Sequence, residues 1–155
     1  MPDHSRVSMD GFTLIELITV MVIAGTISVL IISKTINITV FSVQSSRDEI
    51  VAALFLAQQT AMARDSSTNP IEFVATLTSI NVRENGVSIP VPGVSYPLIL
   101  PGGVTITAGT GTLDYDKLGR VVDGAGNPIP TPAMITLSGN GASATVVVSA
   151  GGYAD

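Results

Sequence analysis

The hydrophobic pattern is strongest near the start of the chain, where residues 12–33 are apolar or small with one charged exception, Glu16. A helix needs about 20 apolar residues to cross the hydrocarbon core of a bilayer, so this segment is long enough to span one. A charged side chain at the centre of such a helix costs about 2.5–3.5 kcal/mol on insertion scales. Glu16 lies only one turn inside the segment, which lowers that cost but still leaves its carboxylate in need of a partner. The pattern therefore predicts a membrane-spanning helix with a functional charge near its start.

The helical pattern weakens after this segment and then returns. Residues 35–46 are mostly β-branched or small and polar, which are modest helix formers, but no Pro or Gly interrupts them. We therefore expect a continuous helix, with any melting or bending between residues 33 and 46. Over residues 47–64, apolar side chains recur at helical spacing and predict a face that packs against a sheet. That face consists of Ile50, Leu54, Ala57 and Ala61, with Val51, Phe55 and Met62 beside it.

From residue 71 the pattern changes to short runs rich in Val, Ile and Thr, separated by turns that contain Gly, Asn or Pro. Such runs are typical of strands, and the many glycines favour antiparallel pairing through tight turns. The predicted strands are 71–77, 79–83, 87–91, 104–107, 112–115, 120–122, 133–137 and 145–149. Asn85-Gly86 is the best hairpin signal, and the proline-rich segment 127–132 is expected to be an exposed loop. The whole pattern predicts an α+β fold in which a long N-terminal helix packs on a small antiparallel sheet domain.

Composition restricts the classes of function. Hydrophobic residues make up 46% of the 155-residue chain and charged residues only 12%, which is low for a soluble domain. The net charge is −5 for the whole chain and −4 without residues 1–11, whereas nucleic-acid binders usually carry a basic patch. The chain has no Cys, and its single histidine is His4, so the commonest nucleophile, general base and transition-metal ligands are missing after residue 11. We therefore expect no enzymatic activity and no cofactor.

The start of the chain resembles a known family. Gly11-Phe12-Thr13-Leu14-Ile15-Glu16, followed by the apolar run, resembles the class III signal of type IV pilins and type II secretion pseudopilins. The resemblance implies that a prepilin peptidase cleaves after Gly11 and methylates the new amino group of Phe12. It also implies a single-pass anchor in the bacterial inner membrane, a periplasmic C-terminal domain, and later assembly into a filament. Besides the peptidase, the implied partners are membrane lipid, other pilin or pseudopilin subunits and an inner-membrane assembly platform.

The order of elements extends this resemblance. A helix followed by strands is similar to the H-type pseudopilins and to the FimT-type and MSHA-type minor pilins. The implied divisions are a cleaved leader at 1–11, a membrane and filament-core helix at 12–33, the rest of the helix at 34–65, and a globular β domain at 66–155. The expected function is that of a structural subunit of a type IV pilus or of a type II secretion pseudopilus, with the pilin fold.

Two explanations compete for Glu16. Near a helix N-terminus, the helix dipole favours a negative charge by about 0.3–1 kcal/mol. That amount is too small to offset burial in lipid. The resemblance implies the second explanation, in which the carboxylate pairs with the amino group of Phe12 on a neighbouring subunit during assembly.

The alternative function is a minor pilin that binds DNA or another ligand in uptake or adhesion. Arg83, Lys117 and Arg120 are the candidate DNA contacts, but the chain has no Lys or Arg after Arg120. DNA binding is therefore the less favoured hypothesis. The nearby Asp114-Tyr115-Asp116 superficially resembles a calcium loop, but Leu118 and Ala125 occupy positions that would need ligands, so we interpret this segment as a turn between strands.

Overall fold

The computed structural model describes residues 13–64 and 70–155, and within them it leaves out the side chains of residues 29–39. Gly11 and Phe12, the predicted cleavage and methylation sites, therefore lie outside the described residues. The chain forms two compact units, Met1–Ile36 and Asn37–Asp155.

The helix α1 extends over Leu14–Ala63, close to the predicted bounds. Its first part is exposed at every described position from residue 14 to residue 28, including large apolar side chains such as Leu14 and Met21. Within the described residues, no helix combines the length and the apolar character needed to cross a membrane. The backbone is helical throughout residues 33–46, so melting of this segment in an assembled form stays a prediction.

Nine strands follow α1 in the described residues, and their bounds agree with most of the predicted runs. They are β1 (Ile71–Ala75), β2 (Ser79–Glu84), β3 (Val87–Ser88), β4 (Leu98–Ile99), β5 (Thr105–Ala108), β6 (Gly111–Tyr115), β7 (Val121–Val122), β8 (Ala133–Gly139) and β9 (Ala142–Val148). The sequence missed β4, which follows Pro97 directly and has only two residues. The predicted strand 87–91 is three residues longer than β3, because the chain leaves the sheet before Pro90.

The strands form two sheets rather than the single one that was expected. The larger sheet has the order β3-β2-β1-β6-β7, with β4 pairing to β2, and the smaller sheet has the order β5-β8-β9. Every pairing between these strands is antiparallel. The residues at the end of the chain extend the smaller sheet, because the backbone of Asp155 exchanges two hydrogen bonds with that of Val147.

The second part of α1, which belongs to the unit Asn37–Asp155, packs against both sheets, and together they form the hydrophobic core. The predicted face is confirmed, because its four residues Ile50, Leu54, Ala57 and Ala61 are fully buried. In β1, alternate residues are buried as expected for a strand, and Ile71, Phe73 and Ala75 point into the core. Phe55 and Met62 differ from the expectation: they flank the buried face but remain 56% and 50% exposed. The α+β fold with a helix packed on antiparallel sheets is thus confirmed.

Candidate functional site

A row of charged residues crosses the outer face of the larger sheet. The strand register places Glu72 of β1 between Arg83 of β2 and Asp114 of β6. Asp114 in turn pairs with the apolar Val122 of β7, where the charged row ends. Arg83 Nη2 lies 2.7 Å from Glu72 Oε2. Because alternate residues of a strand share a face, these side chains all point away from α1.

The turn after β6 is organised by Asp116. Its Oδ1 accepts hydrogen bonds of 2.9 Å from the backbone N–H groups of Leu118 and Arg120, and its Oδ2 lies 2.7 Å from Arg120 Nη2. Gly119 adopts the left-handed conformation, with φ of 76°, that closes a three-residue hairpin loop. The predicted turn is therefore confirmed.

A second turn of the same kind follows β7. Asp123 Oδ1 accepts hydrogen bonds from the N–H groups of Ala125 and Asn127, and Gly126 has φ of 83°. The pair reflects a repeat in the sequence, Asp-x-x-Gly at residues 116–119 and again at 123–126, which the sequence analysis overlooked. Each aspartate organises its turn by accepting backbone N–H groups, which is the usual reason for this residue type at a turn.

The two turns and the charged row enclose a groove of about 490 Å³, which we name the acidic groove. Its lining includes four carboxylates and two cations: Glu72, Asp114, Asp116, Asp123, Lys117 and Arg120. No group of three or more potential metal-ligating side chains of the described residues is arranged to hold a metal ion. Because four carboxylates face two cations, the groove carries a net negative charge.

The environments of these carboxyl groups differ. Burial, together with the negative charge of Glu72, raises the pKa of Asp114 against the opposing effect of Arg83. Burial would also raise the pKa of Asp116, but its hydrogen bonds from Arg120 and Leu118 outweigh this effect and lower that pKa. The backbone N–H of Asn127 is the main cause of the lowered pKa of Asp123. Of these three aspartates, Asp114 is thus the one whose charge the fold stabilises least.

The three candidate DNA contacts lie around this groove, but carboxylates accompany both arginines. Arg83 is paired with Glu72, and Arg120 is paired with Asp116. Lys117 is exposed at the turn. The structure therefore brings these cations to one side of the domain, within an acidic setting that disfavours phosphate.

Glu16, the predicted assembly residue, takes part in a helix cap. Its Oε2 accepts hydrogen bonds of 3.1 Å from both the backbone N–H and the hydroxyl of Thr13, and Thr13 Oγ1 accepts a bond from the Glu16 N–H. This reciprocal arrangement is a capping box, which satisfies donors that the helix itself leaves unpaired. The spacing Thr-x-x-Glu before an apolar run is the signal for this cap in the sequence, whereas the expectations for Glu16 were the helix dipole and pairing with Phe12 of a neighbouring subunit.

Gln58 is a further residue that the sequence analysis missed. Its side chain is buried on α1, and Nε2 donates 3.0 Å hydrogen bonds to the carbonyl oxygens of Gly119 and Gly151. Gly152 lies so close that an added Cβ would fall 2.0 Å from the Gly119 carbonyl oxygen. One glutamine thereby joins the helix, the Asp116 turn and the C-terminal turn.

The chain was also compared with known proteins. No family model, curated protein or solved structure matches it.

Proposed function

We propose that this protein is a structural subunit of a filament: a minor pilin of a type IV pilus or a pseudopilin of a type II secretion system. In this proposal a prepilin peptidase removes residues 1–11 and methylates Phe12. The first part of a long helix then anchors the subunit in the bacterial inner membrane, with the β domain in the periplasm as a pilin fold. An assembly platform later moves the subunit into the filament, where that helical segment packs against other subunits. The role is structural rather than catalytic.

The observation that carries the proposal is the exposure of the apolar start of α1. Leu14, Ile15 and Met21 are 76%, 68% and 68% exposed, and the described positions around them are exposed as well. Fully burying one such side chain gains about 1.5–3 kcal/mol. A surface of this size and character is usually covered by lipid or by another protein. In a filament subunit, lipid covers this apolar surface while the subunit is in the membrane, and other subunits cover it in the filament core.

The capping box is compatible with an assembly role for Glu16. Thr13 donates to the carboxylate as an uncharged group, so the negative charge of Glu16 is not neutralised. That charge can still attract the amino group of Phe12 on a neighbouring subunit, while the cap holds the carboxylate at the helix start.

Mass spectrometry of the mature protein tests the processing step. We expect the mature chain to begin at Phe12 and to carry a methyl group on its amino terminus. An intact Met1, or cleavage at another position, would overturn the pilin assignment.

Two substitutions separate capping by Glu16 from pairing between subunits. Glu16→Gln keeps a side chain that can complete the capping box but removes the charge, whereas Thr13→Ala removes the cap and keeps the charge. We expect Glu16→Gln and Glu16→Ala to abolish incorporation into filaments and Thr13→Ala to reduce it only slightly, with incorporation measured as the filament-bound fraction after shearing. Normal incorporation of Glu16→Ala would refute the pairing.

A further inference from the structure

A second groove runs between α1 and the end of the chain. Its volume is about 300 Å³. We name it the aromatic groove, and its lining consists of Asp48, Val51, Ala52, Phe55, Gln58, Gly152, Tyr153 and Ala154. These residues all belong to the compact unit Asn37–Asp155.

Two exposed aromatic side chains form the walls of the aromatic groove, and contacts with Gly119 in the Asp116 turn hold the residues of its floor in place. Phe55 is 56% exposed and Tyr153 is 74% exposed. Below them, Gln58 is held by its two hydrogen bonds to backbone carbonyl groups, and Gly152 packs against Gly119. Aromatic residues are enriched at the centres of protein interfaces, and a rigid site loses less conformational entropy on binding. The groove therefore has the features of a preformed binding site for an apolar side chain.

The charge of the groove restricts what it would bind. Asp48 is the charged residue of the lining, and its side chain is 76% exposed. Arg47 is shared, with Nη1 3.5 Å from Asp48 and Nη2 4.0 Å from Asp155, so one cation faces two carboxylates. This end of the groove keeps a net negative charge, and an occupant with a positive charge would complement it.

We propose that the aromatic groove binds a segment of another protein that carries an aliphatic or aromatic anchor next to a lysine or arginine. The anchor inserts between Phe55 and Tyr153, and the cation lies beside Asp48. The volume is at the lower end of the range for ligand pockets, which suits one large side chain rather than a free organic ligand. This inference does not rest on the proposed filament role, because it uses only residues of the β domain and of the part of α1 that packs on it.

The experiment is photo-crosslinking with the full chain in the cells that produce it. A photoreactive phenylalanine analogue replaces Phe55, and mass spectrometry identifies the crosslinked peptide. We expect a peptide from a different protein with a lysine or arginine within a few residues of the crosslinked side chain. Asp48→Lys should lower the crosslinking yield about fivefold or more, because an attraction between exposed charges becomes a repulsion.

Three controls complete the design. Glu49→Lys makes the same change of charge at the next residue, which does not line the groove, and should leave the yield unchanged. The analogue at Phe41, which is 73% exposed on the same helix, should not capture the same peptide. Asp48→Asn, which keeps the size of the side chain, should lower the yield to an intermediate level. Crosslinks only to lipid, to a second copy of this chain or to a segment without a basic residue would overturn the proposal, as would equal yields from Asp48→Lys and the parent.

Discussion

Tyr115 is 1% exposed, and its hydroxyl has no hydrogen-bond partner among the described residues. Its burial raises the pKa of the phenol, so the hydroxyl is neutral at all ordinary pH values. An unpaired buried hydroxyl carries a desolvation penalty of about 1–3 kcal/mol. We expect Tyr115→Phe to leave the free energy of unfolding unchanged or to raise it by about 1 kcal/mol, as measured by urea denaturation. Tyr153→Phe, at an exposed ring, should change nothing, and a loss of more than about 1 kcal/mol in Tyr115→Phe would reveal a partner for the hydroxyl.

The ionisation of Asp114 makes the free energy of unfolding depend on pH. Its pKa in the folded chain is raised above the ordinary value of 3.8, so the folded chain binds this proton more tightly than the unfolded chain does. The contribution of Asp114 to stability therefore falls as the pH rises through the folded pKa and stays low at neutral pH. Asp114→Asn should raise the free energy of unfolding at pH 7 relative to the parent, and this gain should shrink as the pH falls through the raised folded pKa and be lost below 3.8.

Asp123 is the matched control, because its pKa is shifted in the opposite direction. Its charged form is favoured by folding, so Asp123→Asn should lower the stability at pH 7, and the difference should shrink as the pH falls below 3.8 towards the lowered folded pKa. Parallel denaturation curves at pH 3 and pH 7 measure both effects. Equal responses of the two variants would contradict the different environments assigned to these carboxyl groups.

The helix, the Asp116 turn and the C-terminal turn depend on one another through Gln58. Gln58→Leu keeps the approximate volume of the side chain but leaves the carbonyl groups of Gly119 and Gly151 without this donor. Gly119 is buried, so its unpaired carbonyl costs about 1–3 kcal/mol, whereas Gly151 is exposed and water can replace the lost donor; we therefore expect the free energy of unfolding to fall by about 1–3 kcal/mol.

Gln59→Leu is the control for this variant, because Gln59 is the next residue on α1 and is exposed. Its effect should stay within about 0.5 kcal/mol. Hydrogen exchange adds a local measurement: in Gln58→Leu the amides of both turns should exchange faster than in the parent. Equal destabilisation by the two variants would show that Gln58 does not join these elements.

The distribution of charge over the molecule argues against tight DNA binding. Arg83 and Arg120 are paired with carboxylates, and the acidic groove lies beside both. We expect the full chain in detergent solution not to retard a DNA fragment at about 0.15 M salt, where exposed charges are screened beyond about 8 Å. Retardation that weakens with added salt and is lost in Lys117→Ala would contradict this and would favour the ligand-binding alternative.

Local patterns were enough to predict the helix and most strands, because they depend on residues close together in the chain. The buried face of Ile50 and Leu54 follows from helical periodicity, and the bounds of β1 and β2 follow from alternation. Patterns failed where the outcome depends on distant partners. Phe55 is as apolar as its neighbour Leu54, yet Leu54 is fully buried and Phe55 is 56% exposed. The two-residue strand β4 exists only because β2 offers it an edge.

The sequence by itself determined the α+β class, the long apolar run at the start of α1 and the buried face of Ile50 and Leu54, since each is a matter of local order. Only the tertiary structure decided the division into two sheets, the acidic groove, and the junction at Gln58, whose partners lie 61 and 93 residues along the chain. A hydrogen bond between such distant residues forms only after the intervening chain has packed, so no local pattern records it.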